Sequence, residues 1–197
     1  LLGLGESMFE TKKILNAKNV LVNGVARSDQ KFAVGLFDVI ELLLENKRFR
    51  IVFDNNGRLV LSEIKNKGSV EKISKILFKK MVKGGLVQLT TNDGFVFREK
   101  KSDYKPGDSL KISLPQKKIL GGFELKTGKT VYLINGENKV GKIGKVTAIS
   151  GSSKSREKII NIDVDGEVLK TVERNVIVIG DNSTSIDFGK VFESEEK

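Results

Sequence analysis

The sequence predicts an α+β protein that is rich in β-strands and carries one helix near its start. Alternating apolar and polar residues, as over residues 49–53, are typical of half-buried strands. Asn-Gly and Asp-Gly pairs at residues 23–24 and 165–166 are typical of two-residue hairpin turns. A Ser-x-x-Glu capping box at residues 7–10 predicts the start of the helix.

The charge balance favours a polyanionic partner. The chain of 197 residues has 35 Lys and Arg against 25 Asp and Glu, which gives a formal charge of +10. A field of that sign attracts RNA, DNA or an anionic membrane, and the alternative is a solvated protein that is merely basic. The absence of Cys and His removes thiolate nucleophiles, the commonest general base and the usual zinc ligands. We therefore predict no catalytic residues, no metal and no other cofactor.

Targeting signals are missing from the sequence. No apolar run approaches the roughly 18 residues that a membrane span needs, and the first residues lack the positive charge of a signal peptide. We therefore expect a cytoplasmic protein. The chain starts with Leu1 rather than Met, which leaves open whether its natural start lies upstream.

The first segment is predicted to form a helix that ends near Lys18, followed by a hairpin. Strand is also expected over residues 32–44, with a bend at Gly35. On the helix, one face is expected to pack on the core, and it carries Met8, Ile14 and Leu15. The opposite face is polar and carries Lys12, Lys13 and Asn16.

The middle segment is predicted to be a set of antiparallel strands, over residues 49–61, 86–97 and 109–114. Between them, residues 65–83 carry seven Lys against one Glu, and we predict a short helix over 70–77 that leads into a strand. We hypothesise that this stretch forms a second phosphate-binding surface through Lys75, Lys79 and Lys80. The alternative is a solvated helix face.

The last segment is predicted to form a small closed barrel. Five short strands are expected within about 55 residues, and they cover residues 129–134, 142–149, 159–164, 167–172 and 176–179. A closed barrel is favoured because it leaves no exposed sheet edge. The tail after Gly180 is polar and ends in acidic residues, so we expect it to be frayed.

The aromatic residues are few, which argues against base stacking as the main way of binding RNA. The chain has eleven Phe, two Tyr and no Trp. The aromatic residues whose positions in the sequence are typical of a core are Phe9, Phe32, Phe37, Phe49, Phe53 and Tyr132.

The N-terminal motifs resemble the S-four RNA-binding domain, a small α/β module. The capped basic helix is followed by "VLVNG" and later by "VGLFDVIEL". Met8 stands where that family usually has Arg, Lys18 stands where it usually has Gly, and the first helix of the module is missing. The resemblance implies that one surface faces RNA, made of Ser7, Lys12, Lys13, Asn16, Lys18, Asn23 and Arg27.

The stretch "TGKTVYLINGENKVGKIGKVTAI" resembles the KOW motif, an RNA-binding loop on an SH3-like barrel. Its glycines let the backbone approach a phosphate closely, and its lysines add charge. Residues 126–158 hold eight basic and two acidic residues. The candidate RNA-binding residues of this stretch are Lys129, Asn138, Lys139, Gly141, Lys142, Lys145, Lys154 and Arg156.

The order of the segments over residues 5–180 resembles the archaeal and eukaryotic small-subunit ribosomal protein S-four-e family. The segments are "VLVNGVARSDQKFAVGLFDVIEL", "FRIVFDNNGRLVL", "KPGDSLKISLP", "INGENKVGKIGKV" and "NVIVIG". This resemblance implies a structural constituent of the small ribosomal subunit that is a monomer there and contacts ribosomal RNA and neighbouring proteins. It divides the chain into a partial S-four-type module (1–45), a central antiparallel β domain (46–120), a KOW barrel (121–180) and an acidic tail (181–197).

Two other functions remain open at this point. The first is a KOW-containing transcription or translation factor that binds RNA transiently, although the N-terminal module and central hairpins favour the ribosomal protein. The second is an RNA-modifying enzyme, because S-four domains accompany pseudouridine synthases. Its candidate carboxylates are Asp29, Asp38, Asp163 and Asp165, which all lie in or beside predicted turns, where capping roles are more common.

Overall fold

The computed structural model describes residues 7–54, 56–65, 70–136, 140–151 and 158–191. Strands dominate this part of the chain, and the α+β, β-rich prediction is confirmed. The helices are α1 (Met8–Asn16) and the 3₁₀ helix η1 (Glu173–Asn175). The strands are β1 (Val20–Val22), β2 (Val25–Ala26), β3 (Val39–Leu42), β4 (Lys47–Phe53), β5 (Leu59–Glu63), β6 (Val70–Val82), β7 (Leu86–Thr91), β8 (Val96–Glu99), β9 (Ser109–Leu114), β10 (Lys118–Phe123), β11 (Thr130–Leu133), β12 (Ile143–Gly151), β13 (Lys158–Val164), β14 (Glu167–Val172), β15 (Val176–Gly180) and β16 (Lys190–Val191).

The strands form three antiparallel sheets. The first sheet has the order β16-β5-β4-β3-β1-β2, so it runs through the division expected at residue 45. It also includes β16 from the tail, which pairs with β5. The third sheet has the order β14-β13-β12-β11-β15, and η1 joins its two edge strands. The five strands predicted for the last segment are therefore confirmed, in one sheet.

The second sheet, with the order β10-β9-β6-β7-β8, is built around one long strand. Residues 70–75 of β6 pair with β9, and residues 76–82 pair with β7, with a register shift between Ile76 and Phe78. The helix predicted over 70–77 is therefore wrong. These residues alternate little in polarity because both faces of the strand are covered, and Lys72 and Lys75 are buried among polar partners.

Two other local predictions are wrong for physical reasons. Over residues 32–44 only β3 is a strand, because the backbone turns at Phe37, where φ is +64°, and the Gly35 N–H donates to the Asp38 carboxylate at 2.7 Å. Helix α1 has no buried residue, and Met8 and Phe9, both expected in the core, are 73% and 80% exposed.

Within the described part of the tail, residues 181–191 pack on the fold and pair with β5 through β16, which contradicts the frayed tail that the sequence predicts after Gly180. Ile186 is 5% exposed and joins a core cluster that lies where the three sheets meet. In that cluster the ring of Tyr132 packs edge-on against Phe37, with centroids 5.2 Å apart, and stacks on Phe188 at 5.4 Å. The Tyr132 hydroxyl also accepts a hydrogen bond from the Phe53 N–H at 2.9 Å. One shared core therefore holds the sheets together, and Tyr132 is a core residue as predicted.

None of the helices formed by the described residues has the length and apolar content of a membrane span. In the same part of the chain, no three Asp or Glu side chains lie together as a metal site would require.

Candidate nucleic-acid interface

The helix α1 presents the first basic surface. Ser7 caps it, because its Oγ accepts a hydrogen bond from the Glu10 N–H at 3.2 Å, which satisfies a donor at the start of the helix. The hydroxyl is thus engaged in capping. The polar residues of the helix that the sequence predicts to face RNA are exposed, namely Lys12, Lys13, Asn16 and Lys18.

Asn23 has a structural role, so the prediction that its side chain faces RNA is wrong. It occupies the hairpin turn with a φ of +54°. Its Nδ2 donates to the Asp38 carboxylate at 2.9 Å, and its Oδ1 accepts from the Val39 N–H at 3.0 Å. The side chain therefore makes these hydrogen bonds within the protein, where it connects the turn to β3.

Arg27 lies in the wall of a cleft between the first and second sheets. Its guanidinium carbon stands 4.1 Å from the centre of the Phe32 ring. Phe32 is 38% exposed, so its prediction as a core residue is wrong.

The middle segment supplies fewer RNA-facing cations than its sequence suggests. Lys75 is 4% exposed, and its Nζ donates to the carbonyl of Val176 at 2.9 Å and to that of Glu173. Its prediction as a phosphate-binding residue is therefore wrong. Lys79 is half-buried and donates to the Ser102 carbonyl at 2.7 Å, while Lys80 is exposed.

An exposed row on the second sheet extends the basic surface around Lys80. The register pairs Lys80 with Gln88 on β7, and Gln88 with Arg98 on β8. All three side chains point to the same face because directly paired residues share a face of a sheet. Arg98 is a candidate RNA-binding residue that the sequence analysis missed, and only the strand pairing places it in one row with Lys80, with Gln88 between them.

The residues that the KOW resemblance predicts to bind RNA lie in and beside the third sheet. Lys145 is exposed and Lys142 is half-buried, while Lys129 pairs with the Asp181 carboxylate. Gly141 has a φ of +87°, and a Cβ built there would lie 2.9 Å from the Asp54 carbonyl oxygen. Glycine is therefore required by close packing against the first sheet. The other candidates of this surface lie outside the described residues, namely Asn138, Lys139, Lys154 and Arg156.

Two buried cations connect the sheets, and the sequence analysis assigned neither of them. The Lys72 Nζ lies 2.6 Å from an Asp38 oxygen and 3.0 Å from an Asp93 oxygen. Arg50 is 3% exposed and donates to three backbone carbonyls, on Phe37, Glu71 and Asp187.

Burial and charge shift the pKa of two groups in this region. Burial, partly offset by the charges of Asp187 and Glu71, lowers the pKa of Arg50 to about 10. Burial raises the pKa of Asp93, but the charge of Lys72 and hydrogen bonds from Ser74, Thr91 and Lys72 outweigh it, so that this pKa lies below its ordinary value. Both groups are therefore charged at neutral pH.

Comparison with known proteins gives a consistent result. Residues 45–119 match the family model described as Ribosomal family S4e. The small ribosomal subunit protein eS4 of Methanosphaera stadtmanae is 36% identical over 186 residues, which cover 94% of this chain and 76% of the relative. The protein of the same name from Methanocaldococcus jannaschii is 36% identical over 185 residues, which cover 90% of this chain and 75% of the relative.

A solved structure shows the same fold. The crystal structure of the 30S ribosomal protein S4e from Thermoplasma acidophilum superposes with a TM-score of 0.77 at 30% identity. The superposition covers 91% of this chain and 89% of that one. Both the sequence and the fold are thus similar over nearly the whole chain.

Proposed function

This chain belongs to ribosomal family S4e, and we propose that it is a structural constituent of the small ribosomal subunit that binds ribosomal RNA through several basic surfaces. It is a non-catalytic protein of the archaeal type, which supports subunit assembly and translation. Its partners are small-subunit ribosomal RNA and neighbouring ribosomal proteins. It acts as a monomer within the ribosome, in the cytoplasm.

The observation that carries this proposal is the distribution of exposed cations. Among the exposed cations are residues on three separate surfaces: Lys12 and Lys13 on α1, the Lys80–Arg98 row of the second sheet, and Lys145 on β12 of the third sheet. Cations spread in this way can contact phosphates on more than one RNA segment, which suits recognition of a folded RNA by its backbone and shape.

We assign the modules of the resemblance on the same basis. Helix α1 with β1 to β3 forms the S-four-like module, although its strands share a sheet with β4 and β5. The third sheet, with η1 between its edge strands, forms the KOW barrel. The predicted RNA-facing residues that we retain on these modules are Lys12, Lys13, Asn16, Lys18, Arg27, Lys129, Lys142 and Lys145.

The proposal is tested by the salt dependence of binding to small-subunit ribosomal RNA. Each lost phosphate contact lowers the slope of log K against log salt by roughly 0.7 to 0.9. We expect the double substitution Lys12→Gln and Lys13→Gln to lower it by that amount for each contact. The control is Lys47→Gln with Lys118→Gln, which removes the same charge from exposed positions elsewhere.

The outcomes of this experiment separate the alternatives. Equal slopes for the two double variants would remove α1 from the RNA-binding surface. Failure of the intact protein to co-sediment with free small subunits after a moderate-salt wash would favour a transiently binding factor instead.

A further inference from the structure

A cleft of about 430 Å³ lies between the first and second sheets. The turn of β1 and β2 and the loop of residues 32–38 form one side of it. The turns at residues 92–95 and 114–117 form the other side. Its volume lies in the range of small-molecule sites, roughly 300–1,000 Å³. The cleft is therefore large enough for a ligand the size of one nucleotide.

The floor of the cleft has few acceptors left to offer. The Asp38 carboxylate accepts from Asn23, from the Gly35 N–H and from Lys72. The Asp93 carboxylate accepts from Ser74 and Thr91 and pairs with Lys72. Because these oxygens already have partners within the protein, they compete weakly for the donors of a ligand.

The walls of the cleft, in contrast, offer donors and flat faces. The Arg27 guanidinium lies over Phe32 at 4.1 Å, and the Lys117 Nζ lies over Phe95 at 4.7 Å. Within the described residues, the buried Arg27 Nε has no hydrogen-bond acceptor, and Lys117 has no ion-pair or hydrogen-bond partner. A buried donor without an acceptor is unfavourable, and an exposed ammonium can take an acceptor from a ligand. A ligand that fits must therefore bring acceptors together with a flat apolar ring.

The charges around the cleft point to an anionic ligand. Its lining carries Arg27, Lys72 and Lys117 against Asp38 and Asp93, which leaves one positive charge in excess. Lys72 offsets one of the two carboxylate charges of the floor, and the cations that remain for a ligand are the two in the walls. Those two each stand beside an aromatic ring, and Val34, which is 39% exposed, adds an apolar contact.

We propose that this cleft binds one unpaired nucleotide of single-stranded RNA, with the base against the Arg27–Phe32 pair and a phosphate at Lys117. Unstacked bases stack on aromatic rings and on guanidinium planes, and phosphate oxygens supply the acceptors that the walls lack. The proposal rests on the RNA-binding function above and adds a site that grips a base as well as the backbone. It assigns a role to Lys117, which lies outside the basic surfaces already described.

The first test uses fluorescence. The chain contains no Trp, so Phe32→Trp places a single indole in the wall of the cleft. We expect short oligouridylate or oligoadenylate to quench this indole in a saturable way, and their mutual duplex to leave it unchanged. The control is Leu44→Trp, which puts the indole at a position that is 76% exposed, outside the cleft and on none of the basic surfaces named above. Equal quenching of the two variants, or none of the Phe32→Trp variant, would overturn the proposal.

The second test keeps the wild-type ring. Lys117→Gln removes the cation that we place at the phosphate, and Lys118→Gln removes the neighbouring exposed cation, which does not line the cleft. We expect Lys117→Gln alone to lower the salt slope of single-strand binding by about 0.7. Phe32→Ala should weaken that binding by about fivefold or more, the usual effect of losing one stacked base.

The two proposals can fail separately. If the wild-type protein does not bind small-subunit ribosomal RNA, the general function falls. If the wild-type protein binds and the Lys117→Gln and Lys118→Gln variants behave alike, only the cleft is overturned. This comparison needs no tryptophan variant, so it decides the matter even if Phe32→Trp does not fold.

Discussion

We expect Lys72→Met to destabilise the protein by about 3–5 kcal/mol at pH 7, which is the usual cost of removing one partner from a buried ion pair. The Lys72 Nζ lies within 3.0 Å of both the Asp38 and the Asp93 carboxylates. Methionine keeps most of the volume of the side chain but leaves two largely buried carboxylates without a cation. The measurement is urea-induced unfolding, followed by circular dichroism.

The destabilisation caused by Lys72→Met should depend on pH, and the direction of that dependence follows from the pKa of Asp93. In the wild type the pKa of Asp93 is lowered, so its contribution to stability is present above the ordinary pKa of Asp and is lost as pH falls through the folded-state value. Without Lys72, burial, which is the largest cause, is opposed only by the hydrogen bonds from Ser74 and Thr91, so we expect that pKa to rise. Acid then protonates Asp93 in the variant and relieves the cost, so the destabilisation should be smaller at pH 4.5 than at pH 7 by about 1 kcal/mol or more.

A matched substitution on the second sheet serves as the control. Lys111 pairs with Glu71 at 2.9 Å, but both side chains are about a quarter exposed. Partly exposed pairs are worth about 0–1 kcal/mol, so Lys111→Met should have a small effect at either pH. A destabilisation by Lys72→Met below about 1 kcal/mol, or one that does not change with pH, would refute the assignment of Lys72 as the cation that stabilises this buried cluster.

Three further substitutions test single contacts by urea unfolding. Tyr132→Phe removes the acceptor of the Phe53 N–H and should lower the free energy of unfolding by about 1–3 kcal/mol. A decrease below about 0.3 kcal/mol would contradict that role. Gly141→Ala adds a Cβ at a φ of +87°, 2.9 Å from a backbone oxygen, and should cost more than about 1 kcal/mol, whereas Gly151→Ala meets nothing within 4 Å. Lys75→Met should lower the free energy of unfolding but leave the salt slope of RNA binding unchanged. A flatter slope would show that Lys75 contacts RNA after all.

The predictions from sequence were best where structure is local. The hairpin at residues 23–24 and the one at residues 165–166 were predicted correctly because the turn dipeptide and its flanking strands lie within a few residues of each other. The five strands of the third sheet followed for the same reason. Local patterns thus predict most of the strands but not the way they assemble.

The errors share a different cause, which is partners far apart in the sequence. Lys75 resembles a solvated cation because its acceptors, the carbonyls of Glu173 and Val176, lie about a hundred residues later. Likewise, nothing local indicates that the tail returns to pair with β5 and to bury Ile186. Such contacts could not be inferred without the relative placement of the three sheets.

The buried cations also change how the net charge should be interpreted. The formal charge of +10 counts Arg50, Lys72 and Lys75, yet these three side chains are turned inward. Each of them joins different parts of the fold: Arg50 and Lys72 connect the first sheet to the second, and Lys75 connects the second to the third. A folded RNA that contacts several surfaces at once gains affinity when those surfaces are already held in place. Under the proposed function, the internal cations would support RNA binding indirectly, by fixing the spacing between the exposed ones.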